Sequence, residues 1–416
     1  MTVLRKQVIG VRTFIVLSTV FTVFTCIDPY KPNIGDYPLI MVIDGLITNE
    51  NRSYTVKLSY TTQEIDSVAK TISDARVSIS DEAGNVTNLN SVGNGVYQTD
   101  SLSFTGVTGK SYQLHIVTAK GEEYASDTCK MLPVTGIDSL YYMRDEQLMN
   151  NQRIKYSGIS IFLNTKKGDS GKNFLRWEYN ETWKFLVPLP TSYNYINDSN
   201  IVLLSPSDVH DICWRSARST EVITGSIING INERISGKPL TFIAPELSNR
   251  LQIRYSILVK QYSVSLREYN YWNNLKKMSE TQGDIFGSQP FAVLSNVKNI
   301  NDPEEQVLGY FQVSSAEQKR MYINFMDLVP LNIPIYHYGC IRVEMNPSRF
   351  PKASAFAIPP TFDEIYQMYI NTGWAFVMPV YKSSNIGLDY LVFSSKTCAN
   401  CELTGTSNKP DFWKDE

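Results

Sequence analysis

The chain has 416 residues, enough for two or three domains and a large core. Hydrophobic residues make up 43 % and charged residues 19 %, a globular composition. The formal net charge of −2 excludes a broad basic face for nucleic acid as the main role. Aromatics reach 12 %, with 25 Tyr and 18 Phe, which leans the chain towards β structure.

Residues 1–25 have the pattern of an export signal. Arg5, Lys6 and Arg12 precede an apolar run from Phe14 to Phe24, and the sequence then turns polar and Pro-rich after Thr25-Cys26. An apolar run of about 12 residues, interrupted by Thr19 and Thr22, suits a signal better than a spanning helix. A cysteine at the end of the run, with Val23 three residues before it, resembles the lipobox of bacterial lipoproteins. That resemblance implies cleavage before Cys26 and a diacylglycerol on its thiol. A plain cleaved signal and an uncleaved anchor are the alternatives. Cleavage removes three basic groups and no acid, leaving a mature charge three lower than −2, near −5. Residues 26–37, with Pro29, Pro32 and Gly35, form a tether.

From Pro38 onwards short apolar or alternating segments recur. Pro38–Ile47, Tyr54–Tyr60, Ala75–Ser80, Gly95–Tyr97, Tyr112–Val117 and Tyr124–Cys129 read as strands separated by polar turns such as Asp81–Gly84 and Lys120–Glu122. This spacing predicts an immunoglobulin-like antiparallel β-sandwich over residues 38–133. Pro133–Gly136 marks its end.

A larger β-rich domain over 134–416 is predicted to follow. Ile159–Leu163, Phe174–Phe185 and Leu251–Val259 are its clearest strands, with Lys166–Gly171 as a hairpin turn between the first two. Helices are few. Ser265-Leu266-Arg267-Glu268 has the form of a capping box ahead of a helix over 266–280 carrying Leu266, Tyr269, Trp272, Leu275 and Met278. Thr361-Phe362-Asp363-Glu364 caps a second helix near 361–372, and Gly373 suits its stop. The fold class is therefore mainly β.

Six cysteines are present. With Cys26 acylated, five remain in an oxidising compartment, and Cys129 is taken as unpaired. Residues three apart bond poorly, so Cys398–Cys401 is disfavoured, and Cys213 and Cys340 would each hold one of that pair. A zinc site built from Cys398 and Cys401 with Cys340 or His337 is the alternative.

An ordered set of landmarks spans the mature chain. It comprises Cys26-Ile27-Asp28-Pro29, Val42–Glu50, Arg176-Trp177-Glu178-Tyr179, Cys213-Trp214, Tyr271-Trp272, Asn301-Asp302-Pro303, Val307–Phe311, Cys398–Cys401 and Pro410–Trp413. The set resembles the Bacteroidota lipoproteins built on domain of unknown function 4249. The resemblance implies an outer-membrane lipoprotein of unknown activity, with a TonB-dependent receptor as partner class. It carries no catalytic residues to transfer.

The search for chemistry is mostly negative. The three histidines are His115, His210 and His337, and His210-Asp211 is the one suggestive pair. No phosphate loop, nucleophile elbow, zinc-protease or dinucleotide motif occurs. Asp302, Glu304 and Glu305 form an acidic loop without calcium-loop spacing. The loop around Asp284, Ile285 and Phe286 follows a Trp-bearing helix and is the candidate binding loop, against a plain packed connection. Cys213-Trp214 and Phe412-Trp413 read as core and terminal packing. No catalytic residue, metal or cofactor is expected. The expected role is a lipid-anchored accessory protein of the outer membrane, tethered by Cys26 beside a TonB-dependent receptor. A stand-alone binder of glycan or peptide, and a hydrolase with an unrecognised site, are the alternatives.

Overall fold

The computed structural model describes residues 39–62, 68–100, 104–149, 153–168, 172–228, 231–281, 293, 295–349, 358–383 and 387–415. Cys26 and the loop of Asp284, Ile285 and Phe286 lie outside them.

The protein is mainly β, in three sheet-based modules. In the first, alternation drives the packing. Met41–Ile47, Thr55–Tyr60, Arg76–Asp81 and Ser111–Val117 each bury every second side chain. Met41, Ile43, Val56, Leu58 and Tyr97 from one end of the curled sheet meet Val77, Ile79, Leu114, Ile116 and Tyr124 from the other in one core. The arrangement is sandwich-like, as the strand spacing predicts.

The sandwich is not made from residues 38–133 alone. Val307–Val313 adds a strand to one edge, parallel to Met41–Ile47, and Val297–Asn299 pairs antiparallel with Glu123–Ser126 at the other. Val297, Val307, Phe311 and Val313 complete its core. The parallel strand needs close approach. Gly309 stands opposite Ile43 at φ +89°, where any Cβ would collide with the Ile43 carbonyl. The Asn296 side chain extends this edge, accepting from the Phe311 N–H at 2.8 Å and donating to its carbonyl at 2.9 Å.

The second module is a three-stranded sheet packed on a five-stranded one. Ile154–Thr165 pairs with Ile137–Met149 and Lys238–Ile243, whereas Lys172–Leu186 pairs with Ile212–Arg218, Ile223–Ile228 and Arg254–Val264. Ile154–Thr165 and Lys172–Leu186 therefore belong to different sheets, and the hairpin pairing expected between them is not formed. The expectation failed because the true partner, Ile137–Met149, is half-exposed and carries the polar run Arg144-Asp145-Glu146-Gln147 in its second half, which masks its strand character. Ile159, Ile161 and Leu163 meet Leu175, Trp177, Trp183, Phe185, Tyr255 and Ile257 in the core between the sheets.

The third module joins Val343–Met345, Leu388–Ser395 and Trp374–Tyr381 in a sheet covered by the helix Phe362–Asn371. Both halves of the Thr361/Glu364 capping box are present, and Gly373 follows at φ +93°. Tyr195, from the hairpin Tyr193–Asn197 with Asn200–Leu203, stacks on Tyr366 at 4.2 Å and donates to Asp363 at 2.6 Å. Disulfides Cys213–Cys401 and Cys340–Cys398 fasten this module and the C-terminal segment to the rest. Among the described residues no helix is long and apolar enough to cross a membrane.

Candidate functional site

The strand Lys172–Leu186 has two faces of different character. Leu175, Trp177, Trp183 and Phe185 enter the core, so Arg176, Glu178 and Asn180 point the other way. Strand register brings matching residues beside them. Tyr262 lies opposite Arg176, Lys260 opposite Glu178, and Arg218 opposite Asn180. The polar face of three adjacent strands thus forms a floor. The sandwich supplies the facing wall, with Asp44 opposite Lys57 and Leu46 opposite Thr55 on paired strands. Gln312 comes from the inserted parallel strand, and Trp272 from the helix Leu266–Thr281. Together they line a cleft of about 360 Å³ between the two modules.

Arg176 organises the site. It is only 7 % exposed, and its guanidinium lies 4.6 Å from the ring centres of both Tyr262 and Trp272. It donates to Gln312 at 3.0 Å and reaches Glu178 at 3.5 Å, while its Nε has no hydrogen-bond partner. The Tyr262 hydroxyl donates to Glu178. Burial raises the Tyr262 phenol, and the Glu178 charge adds to the rise.

Behind Trp272 sits Glu268. Its backbone N–H is capped by Ser265 Oγ at 3.1 Å, as the Ser-x-x-Glu spacing predicts, and its carboxyl accepts from Trp272 Nε1 at 3.4 Å. Burial pushes this carboxyl up to about 7, against the lowering charge of Arg176. Glu50 behaves oppositely. Burial raises it, but Lys260 at 3.0 Å and Arg52 at 3.1 Å outweigh that and hold it below the usual carboxylate range. Lys260 and Glu50 thereby form an ion pair across the two modules.

The cysteines are placed as follows. Cys213 is bonded to Cys401 and Cys340 to Cys398, which leaves no thiolates for a zinc site at the CxxC. Cys129 is a thiol, pushed up to about 12 by burial, beside Asn296. His210 contacts Glu402 at 3.5 Å, His115 is half-buried in its strand, and His337 is exposed. Glu305 turns inward to accept from Tyr124 at 2.9 Å. Among the described residues no group of acids, histidines and cysteines is arranged to hold a metal ion. Trp214 and Trp413 pack edge to face at 6.3 Å. The cleft escapes motif reading, because it is assembled by register from five distant segments. The signal available was the placement of Arg176 and Glu178 on the non-core face of a long alternating strand.

Residues 27–320 match the family defined by a domain of unknown function, DUF4249. The chain belongs to this family. No curated protein matches it. Every residue lining the cleft lies inside the DUF4249 region, whereas most of the third module lies beyond it. The DUF4249 region also contains the inserted strands at 297–313 that complete the sandwich.

Proposed function

We propose that the protein is a lipid-anchored accessory protein of the Bacteroidota outer membrane, working beside a TonB-dependent receptor in ligand capture, uptake or complex assembly. The observation that carries this reading is the junction at Cys26. A basic start and a short apolar run end at that cysteine, and the DUF4249 match opens at the next residue. The coincidence supports a mature protein that begins at Cys26 and is tethered there. Acylation at the cysteine with more than one chain gives stable anchoring, where a single chain binds only marginally. Two disulfides in the fold support work in an oxidising compartment.

The proposed role is one of binding and assembly. A second reading, a stand-alone binder of glycan or peptide, is favoured by the polar cleft between the modules.

Metabolic labelling with an alkyne fatty acid, followed by membrane fractionation, tests the anchor. The full chain is expected to carry label and to sediment with the outer membrane, and Cys26→Ser to lose both. Unlabelled protein in the soluble envelope fraction would refute the tether.

A further inference from the structure

We infer that the cleft between the sandwich and the five-stranded sheet is a binding site for a small ligand bearing a carboxylate. The size suits one. A volume of about 360 Å³ at the junction of two modules is ordinary for a small-molecule site. The charge also suits it. Arg52, Lys57, Arg176, Arg218 and Lys260 line the cleft against only Asp44 and Glu178, in a chain whose net charge is negative.

Part of that positive charge is already engaged. Lys260 and Arg52 hold Glu50. Lys57 and Arg218 are exposed and have no ion pair among the described residues. Arg176 is more telling. Its plane is fixed between two rings and its Nε–H is buried without an acceptor. Arg176 thereby adds a fixed positive charge to the floor of the cleft, while the exposed Lys57 and Arg218 are the donors that a carboxylate meets there. The Arg218 guanidinium fork matches a planar carboxylate in particular.

A phosphate fits less well. Phosphate sites lean on free backbone N–H groups at helix starts and nests, whereas these walls are paired strands presenting side chains. The carboxylate has two possible sources, a uronic sugar or an amino acid or short peptide, and Asp44 offers the second an ammonium partner. The inference concerns the purified chain and does not rest on the anchor or the receptor.

Titration calorimetry on the full chain in detergent at low salt tests it, with galacturonate, digalacturonate, glutamate and glycylglutamate as probes. Galactose and glycylglutaminamide, which carry no carboxylate, are the controls. At least one acid is expected to bind, with its control about tenfold weaker or more. Arg218→Gln and Lys57→Gln, both at exposed positions, are each expected to weaken that acid about tenfold. Binding confined to the uronates assigns a sugar, and binding confined to glutamate or its dipeptide assigns a peptide source. No heat from any acid at about 10 mM, a strength equivalent to under about 3 kcal/mol, would overturn the inference. So would equal binding by wild type and the Arg218→Gln/Lys57→Gln double variant.

Discussion

A Cβ built on Gly309 would stand 1.9 Å from the carbonyl oxygen of Ile43. The contact lies in the pairing between Val307–Val313 and Met41–Ile47, which is the only parallel pairing among the described strands. This is where the later half of the chain enters the sandwich and carries Gln312 to the cleft. The site and the strand insertion thus depend on one position without a side chain.

Gly309→Ala should therefore be severely destabilising. It combines a left-handed backbone with a clash against main chain, which cannot rotate away. A loss of about 3 kcal/mol or more is expected in urea unfolding followed by circular dichroism. An unchanged midpoint would mean that the parallel pairing is not formed.

The two disulfides should differ in weight. Cys213–Cys401 spans 188 residues and Cys340–Cys398 spans 58. Chain-entropy arguments give about 5 kcal/mol for the longer closure and about 4 kcal/mol for the shorter. Thermal unfolding of the paired serine variants should rank Cys213→Ser/Cys401→Ser as the less stable. The reverse ranking would show that strain or residual structure outweighs loop length.

Glu268 gives a pH dependence of definite sign. Its folded carboxyl titrates near 7 against a reference of 4.5. Between those values the unfolded chain releases a proton that the folded chain keeps, so this group makes stability fall as pH rises. The fall amounts to about 3 kcal/mol and ends above pH 7. Glu268→Gln cannot ionise, so its stability relative to wild type should climb across this window and then level off. A difference flat from pH 4.5 to 8 would contradict a neutral, buried Glu268.

The sequence made some of this legible. Alternation located most of the sandwich strands, though not the largely exposed Val86–Gly93, and the strand carrying Trp177, and the two capping boxes located both long helices to within a residue or two. These signals are local, fixed by one turn or one strand face. What escaped is non-local. Val307–Val313 has strand character, but nothing within it says that its partner lies more than 250 residues earlier. Ile137–Met149 hid because a half-exposed strand needs few apolar residues. The cleft was hidden for the same reason. Arg176, Tyr262 and Trp272 each read as ordinary strand or helix residues until register stacks them.

The most direct test of the proposed role is a detergent pull-down of the full chain, with its native anchor, read by mass spectrometry. A TonB-dependent receptor recovered in stoichiometric amount, and lost with Cys26→Ser, is the predicted result. An outer-membrane protein that is acylated yet purifies without any such receptor would contradict the accessory role and leave a stand-alone binder.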